Sequence, residues 1–179
     1  FKQKTAYEIM PSLVGSEMCI RDRLLTACKG PATTQEAVLP APEGEVILRV
    51  TGDIANPNVG DECQFDAALI EQYAINQTID DPWMGDGLDY RGILLSKVWE
   101  LCGGSDEATT ATLVAKDGMT VAIAREDLER WPIMLAYQVG GENLTDDQGG
   151  PVKLVFPAEA RETYTDDQWM WWVAEVKIQ

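Results

Sequence analysis

Short apolar segments separated by glycine, proline and aspartate run through the chain from residue 45 onward. Segments of roughly four to eight residues that are rich in β-branched side chains are typical of strands. This pattern predicts six strands, at Glu45–Thr51, Ala111–Ala115, Thr120–Ala124, Ile133–Val139, Val152–Phe156 and Val173–Ile178. Between the second and third of them, Asp117-Gly118 is a strong signal for a hairpin turn.

Three other segments have the spacing of short helices. Asp66–Tyr73 begins with a suitable N-cap residue, and Tyr90–Leu101 places apolar residues on one helical face before the stop signal Gly103-Gly104. Asp127–Arg130 is a single predicted helical turn. Several antiparallel strands with few long helices predict an α+β fold.

The first residues of the chain have a different origin from the rest. Lys2–Ile9, KQKTAYEI, resembles one translated frame of an indexing primer for short-read libraries, and Leu13–Asp22, LVGSEMCIRD, resembles one frame of a transposon-based read adapter. The two strings stand in the order in which they occur in a library molecule. We therefore predict that residues 1–22 are an adapter-derived artefact, in preference to an amphipathic helix or a targeting peptide.

The segment that follows has the pattern of a lipoprotein signal. Leu24–Cys28, LLTAC, resembles a lipobox, which predicts residues 23–28 as a signal-peptide remnant and Cys28 as the lipidated residue. The alternative is a short apolar stretch that ends in a free cysteine. Residues 29–44 lack apolar periodicity and predict a disordered tether to a domain at 45–179. Lys29, directly after the cysteine, favours the outer membrane, so the expected location is the periplasmic side of that membrane.

Charge and histidine content exclude several classes of function. The formal net charge is -16, which makes binding to nucleic acid improbable. The chain contains no histidine, so histidine-based nucleophile activation and histidine metal sites are excluded. No run after Cys28 approaches the roughly twenty apolar residues of a membrane-spanning helix.

Two cysteines lie inside the predicted domain. Cys63 and Cys102 could form a disulfide in an oxidising periplasm, and the alternative is a pair of buried hydrophobic side chains. They are too few to predict a zinc or iron–sulfur site.

The predicted loop Asp80–Asp89 carries the first candidate binding residues. Trp83 and Tyr90 lie in or beside this glycine-rich segment, and a large aromatic residue on a loop commonly lines a site. The acidic pairs Asp80-Asp81 and Asp166-Asp167 match no calcium-loop spacing, so solvated or capping carboxylates are expected there.

Two further segments are weaker candidates. Gln148, Gly149 and Gly150 belong to a polar loop that could border a pocket, although a plain turn before the next strand is favoured. The cluster Trp169, Trp171 and Trp172 could stack on a ring-shaped ligand, but its alternation into the last strand favours core packing.

The order of these segments resembles the molybdopterin-binding domain of the sulfite oxidase family. The resemblance rests on a loop with Trp83, the segments RGILLSKVWELCG, KDGMTVAI, WPIMLAYQVGGENL and DQGGPVKLVFP, and the terminal WWVAEVKI. It covers about Glu45–Gln179 and is most specific over Leu135–Pro157. It implies a mixed sulfite-oxidase-type fold that holds a molybdenum pterin cofactor for the oxidation of sulfite or the reduction of sulfoxides.

The same resemblance implies a thiolate ligand for molybdenum that this chain lacks. The family's enzymes supply it from the segment that corresponds to Ala74–Pro82, AINQTIDDP, which contains no cysteine. They also often carry a histidine where this chain has Gln148, and basic residues that would grip the cofactor's phosphate are sparse here. A soft thiolate cannot be replaced by Gln77 or Thr78 without changing the electronic properties of the metal. We therefore expect no catalytic molybdenum.

Three functions follow from the sequence. The favoured one is a lipid-anchored periplasmic domain of this fold that binds a small ligand or an envelope protein. The alternatives are a molybdopterin-dependent oxidoreductase and a structural envelope lipoprotein without a ligand. Function depends on the site more than on the fold, so fold alone does not choose between them.

Overall fold

The computed structural model describes residues 39–179. Residues 1–22, predicted to be adapter-derived, the predicted lipobox with Cys28 and most of the predicted tether lie outside the described residues. Among residues 39–179, no helix is long and apolar enough to cross a membrane.

Ten strands and three short α-helices make up the described fold. The strands are β1 (Val46–Gly52), β2 (Cys63–Asp66), β3 (Ile75–Asp81), β4 (Gly85–Leu94), β5 (Thr110–Ala115), β6 (Thr120–Ala124), β7 (Met134–Val139), β8 (Glu142–Asn143), β9 (Lys153–Val155) and β10 (Val173–Ile178). The helices are α1 (Ala67–Glu71), α2 (Leu95–Leu101) and α3 (Arg125–Arg130). The predicted α+β class is confirmed.

The strands form two sheets. The first has the order β2-β1-β10-β5-β6, in which β1 and β10 are parallel and the other neighbours are antiparallel. The second has the order β3-β4-β7-β8, and β9 also pairs with β7. All pairs of the second sheet are antiparallel. The hairpin predicted at Asp117-Gly118 joins β5 to β6, and Gly118 has the positive φ of 89° that such a turn needs.

The predicted helix Tyr90–Leu101 is wrong in its first half. Residues 90–94 belong to β4, and only Leu95–Leu101 is helical. The apolar spacing that looked helical spans the junction of a strand and a helix. Backbone partners on both sides decide the outcome, because Tyr90 pairs with Gln77 of β3 and with Val139 of β7.

Besides β4 and the two-residue β8, two more strands were not predicted from the sequence. β2 is only four residues long, and β3 reads INQTIDD, in which polar residues outnumber apolar ones. The predicted loop Asp80–Asp89 is therefore mostly strand, and only a short turn separates β3 from β4. Both segments become strands through pairing with a neighbour, since their own composition does not favour strand structure.

The ordered domain begins earlier than the predicted start at Glu45. Leu39 is 2% exposed and belongs to the hydrophobic core. The amides of Glu43 and Gly44 donate to Oδ2 of Asp66, at 2.9 and 2.7 Å. The other oxygen of Asp66 caps α1 by accepting from Leu69 N, which confirms the predicted N-cap. The end of the predicted tether, from Leu39 to Gly44, is thus part of the domain.

Candidate functional site

A buried ion pair lies at the end of the β3–β4 hairpin. Nζ of Lys153 is 2.5 Å from Oδ2 of Asp81, and both side chains are fully buried. The hydroxyl of Tyr90 donates to the same carboxylate oxygen at 2.6 Å. Three strands supply these groups, since Asp81 ends β3, Tyr90 lies in β4 and Lys153 begins β9.

The second oxygen of Asp81 holds the turn that follows it. Oδ1 accepts from the backbone amides of Trp83 and Met84, at 2.8 and 3.0 Å. Asp80 fixes the far side of the turn, because its Oδ1 accepts from Gly87 N at 2.8 Å. The side chain of Trp83 is nevertheless 61% exposed. The side chains of Asp80 and Asp81 therefore hold the backbone of the turn, while the side chain of Trp83 faces solvent.

Aromatic rings and a sulfur atom surround the ammonium group of Lys153. Nζ lies 4.9 Å from the ring centroid of Trp171 and 5.9 Å from that of Trp169, distances that allow cation–π attraction. It is also 3.4 Å from Sδ of Met84. The indole Nε1 of Trp169 is the single buried side-chain polar atom without a hydrogen-bond partner among residues 39–179.

The contacts fix the protonation of the buried groups. Burial would raise the pKa of Asp81, but the hydrogen bonds from Lys153 and Tyr90 outweigh it and lower that pKa below its usual value. Burial and the neighbouring carboxylate raise the pKa of Tyr90. Burial lowers the pKa of Lys153, and the charge of Asp81 opposes this effect. Asp81 is thus an anion and Tyr90 a neutral phenol.

This arrangement is better suited to holding the β3–β4 turn in place than to catalysing a reaction. Both oxygens of Asp81 are occupied, and Tyr90 is held in its protonated form. A buried ion pair is a weak source of net stability, because its desolvation penalty can exceed the attraction. Its clear effect here is to fix the turn that presents Trp83. Tyr90, a pocket candidate from the sequence, supports this turn from within the core and is 0% exposed.

The segment with Gln148, Gly149 and Gly150 is a tight turn. Asp146–Gln148 is a single 3₁₀ turn, and the oxygen of the Gln148 side chain accepts from Thr145 N at 3.1 Å. The carbonyl of Gly149 accepts from Trp172 N at 2.8 Å, which ties the turn to the segment before β10. Gly150 precedes a cis Pro151. These contacts favour the plain-turn interpretation.

The tryptophan cluster divides between core and surface. Trp169 is 4% exposed and packs edge-on against Phe156, with 5.9 Å between ring centroids. Trp171 is half-buried, and a Cβ on Gly149 would lie 2.8 Å from its ring. The turn with Gly149 therefore packs against Trp171, whose ring also faces the ammonium group of Lys153. Trp172, also half-buried, donates its Nε1–H to Asp146 O at 3.0 Å.

The acidic pairs have no metal-binding arrangement. Among residues 39–179, no group of three or more cysteine, aspartate and glutamate side chains could hold a metal ion. Asp81 is used by the buried network, and Asp166 and Asp167 lie in a 3₁₀ turn capped by Thr165. Solvated or capping roles were expected for these carboxylates, and the buried ion pair of Asp81 corrects that expectation for this residue.

Sequence reasoning missed the partnership of Asp81 with Lys153. A signal was present, because Lys153 interrupts the apolar segment Val152–Phe156 and a lysine in a buried strand needs a partner. The identity of that partner could not be inferred, since it lies 72 residues away in the sequence.

The described clefts lie elsewhere on the domain. One of about 460 Å³ is lined by residues that include Asp106, Thr109 and Arg125, and one of about 470 Å³ by residues that include Asp53 and Glu107. Trp83, Tyr90 and Gln148 do not line any of the five clefts described for residues 39–179. A ligand of Trp83 would therefore contact an exposed surface.

Comparison with known proteins agrees with the fold described above. The crystal structure of the sulfane dehydrogenase SoxCD from Paracoccus pantotrophus is similar, with a TM-score of 0.58 and 16% sequence identity. The match covers 79% of this chain and 40% of that chain, so the present chain spans about two fifths of the length of that protein. At this identity the similarity shows a common fold. The sulfite-oxidase-type fold expected from the sequence is confirmed.

The family of the chain follows from a comparison of its sequence with models of known domain families. Residues 65–178 match the model described as the oxidoreductase molybdopterin binding domain, and the chain belongs to this family. No curated protein matches the chain in sequence.

Proposed function

We propose that the chain is a lipid-anchored periplasmic binding module of the molybdopterin-binding fold that works without catalytic molybdenum. Its contact surface is the turn that carries Trp83. The observation that carries this proposal is the buried pair of Asp81 and Lys153, which holds that turn and leaves the indole exposed.

The residues of the site do not fit the family's cofactor. The resemblance places the metal thiolate in Ala74–Pro82, a segment that is now β3 and its turn and contains no cysteine. The carboxylate of Asp81, at the end of β3, already accepts hydrogen bonds from Lys153, Tyr90 and two backbone amides. Both cysteines of the domain are fully buried. Cys63 is the first residue of β2, and Cys102 lies at the end of α2. The segment Ala74–Pro82 therefore presents no thiolate to a metal.

Groups that could bind a cofactor phosphate near this site are also engaged. Lys153 pairs with Asp81, and a guanidinium nitrogen of Arg161 donates to the carbonyl of Asp80. On the neighbouring face of the hairpin, Arg91 forms an ion pair with Glu71 at 2.5 Å. A phosphate would have to compete with these internal partners.

Charge indicates the class of partner. The formal net charge of -16 would attract a cationic surface and repel an anionic one. Asp86 is exposed in the same hairpin as Trp83, so a basic side chain could contact the carboxylate and stack on the indole. A basic segment of an envelope protein is accordingly the favoured partner.

The first experiment measures metal and pterin in the full chain produced in cells that make the cofactor. We expect neither molybdenum nor pterin at a meaningful fraction of one per chain. Near-stoichiometric molybdenum would favour the alternative function, a molybdopterin-dependent oxidoreductase. Substitution of Cys63 and then Cys102 would identify the ligand in that case.

A second experiment tests the contact surface with two peptides of equal length, one rich in arginine and one rich in glutamate. We expect the full chain to bind the first and not the second, and Trp83→Ala to weaken that binding about tenfold or more. Ile75→Ala, at an exposed apolar side chain at the start of β3, is the matched control and should bind as the wild type does. Equal binding by both variants would show that Trp83 is not part of the contact surface. Absence of binding by the wild type would favour a structural lipoprotein without a ligand.

The lipid anchor is tested separately, because Cys28 lies outside the described residues. Cells fed labelled palmitate should incorporate label into the native gene product and lose it with Cys28→Ala. Absence of label in the wild type would remove the anchor from the proposal and leave the binding module unaffected.

A further inference from the structure

Two buried cysteines lie close together, one in a strand of the first sheet and one at the end of a helix. Cys63 is the first residue of β2, and Cys102 is the C-cap of α2. Both side chains are 0% exposed, and each thiol shifts the pKa of the other, as adjacent groups do. They are free thiols in this structure.

One loop residue binds to both cysteines. The amide of Asn56 donates to the carbonyl of Cys102 at 3.0 Å, and Sγ of Cys63 donates to the carbonyl of Asn56 at 3.2 Å. The next bond of this set runs from Ala55 N to Gly103 O at 2.9 Å. Gly103 has a φ of 63°, which a residue with a side chain adopts only with strain. The backbone around the two thiols is therefore fixed on both sides.

We propose that Cys63 and Cys102 are a disulfide-forming pair that covalently joins β2 to the end of α2 when the chain folds in an oxidising compartment. β2 is the edge strand of the first sheet, and α2 follows directly on β4 of the second sheet. The bond would close a loop that contains α1 and the whole β3–β4 hairpin with Trp83. It would thus limit the opening of the part of the domain that carries the proposed contact surface.

The reaction is a thiol–disulfide exchange with a disulfide oxidant. The thiolate of Cys63 attacks the oxidant, which releases one of its two sulfurs as a thiol, and a mixed disulfide forms. Cys102 then loses its proton, attacks Sγ of Cys63 and releases the second thiol of the oxidant. Two protons and two electrons leave the protein, and the oxidant disulfide is reduced to two thiols.

The two thiols differ in the way this order requires. The neighbouring thiol of Cys102 lowers the pKa of Cys63, although burial opposes this effect. The thiol of Cys63 and burial raise the pKa of Cys102. Cys63 is therefore the better attacking group. Because both side chains are buried, exchange takes place during folding or during local opening of the loop that contains Asn56.

The chemical test uses the full chain unfolded in urea and refolded with oxidised glutathione. Free thiols are then alkylated, and the protein is digested with trypsin. Cleavage after Arg49, Arg91, Lys97 and Lys116 places the two cysteines in different peptides, residues 50–91 and 98–116. We expect these two peptides to be linked, and dithiothreitol to separate them. Recovery of both peptides unlinked and alkylated would overturn the proposal.

Stability provides a second measurement. The oxidised wild type should unfold at a higher urea concentration than the reduced wild type, and Cys63→Ser and Cys102→Ser should not respond to the oxidant. If either serine variant does not fold, the comparison of oxidised with reduced wild type still decides the question. An unchanged urea midpoint in protein with the linked peptides would show that the bond forms without restraining the domain, against the proposal.

The cellular part of the proposal rests on the periplasmic location, whereas the chemical part does not. Chains made with and without an export signal are acid-quenched, alkylated and digested in the same way. We expect the linked peptides only in the exported chain. Linkage after refolding but not after export would contradict the location and leave the pairing intact. Failure in both would contradict the pairing itself.

Discussion

The ammonium group of Lys153 lies 2.5 Å from Oδ2 of Asp81, with both side chains fully buried. The two residues come from strands of the same sheet that are not neighbours, since β4 and β7 lie between β3 and β9. Asp81 passes this constraint on through its other oxygen to the amides of Trp83 and Met84. The exposed indole is thus positioned by a charge pair in the core.

Removing one partner of this pair should lower the free energy of unfolding more than replacing both charged groups with neutral ones. Lys153→Met leaves a buried carboxylate without its counter-ion and should lower the free energy of unfolding by about 3–5 kcal/mol. In the double variant Asp81→Asn/Lys153→Met, the amide oxygen keeps an acceptor for the turn and no buried charge remains. We expect the double variant to recover much of the loss in urea unfolding. Additive losses would show that the two charges act independently.

Acid should destabilise the fold through two carboxylates. The pKa of Asp66 is lowered because the amides of Gly44, Leu69 and Glu43 outweigh the effect of burial, and the pKa of Asp81 is lowered by Lys153 and Tyr90. A folded pKa below the unfolded value of about 3.9 stabilises the protein above that pH, and the contribution is lost as the pH falls through the folded pKa. Unfolding in urea at pH 6 and at pH 3 should show the loss. Asp66→Asn should reduce it, whereas Asp86→Asn, at an exposed side chain, should not.

A side chain at Gly92 should disrupt the contact between β4 and β7. A Cβ there would lie 2.2 Å from the carbonyl oxygen of Leu135, so backbone must move. We expect Gly92→Ala to cost about 3 kcal/mol in urea unfolding. Gly118→Ala is the comparison, because its Cβ meets nothing within 4 Å and the cost of its positive φ is about 1 kcal/mol. Equal losses would argue against the close approach.

Leu39 should behave as a core residue although it precedes the predicted domain. Leu39→Ala should lower the free energy of unfolding by about 2–5 kcal/mol, the usual range for a buried leucine. Val46→Ala, at a side chain that is 37% exposed, should change it by about 0.5 kcal/mol or less. If the Leu39 variant is as stable as the wild type, Leu39 does not contribute to the core, and the predicted end of the tether at Gly44 is correct.

The strands with strong local signals were predicted correctly from the sequence. β5 and β6 alternate in burial and are joined by Asp117-Gly118, so both their structure and their pairing are encoded locally. β10 was also found from its own composition. The parallel pairing of β10 with β1 was not predicted, because it joins the two ends of the domain.

Where tertiary pairing opposed the local pattern, the sequence misled. Ile93 and Leu94 sit at helical spacing with the residues after them, yet they belong to a strand because β7 supplies their backbone partners. The candidate site shows the same limit. Trp83 was predicted to be a loop aromatic that could line a site, but its supporting carboxylate was interpreted as a solvated or capping group.

The sequence by itself determined the α+β class, the family resemblance, the hairpins with turn residues and the absence of histidine, since each of these depends on residue type or on near neighbours. Only the tertiary structure decided that Lys153 neutralises Asp81, that Cys63 meets Cys102 and that Leu39 belongs to the core. Each of these depends on segments far apart in the sequence, and their contact is fixed by strand pairing and burial.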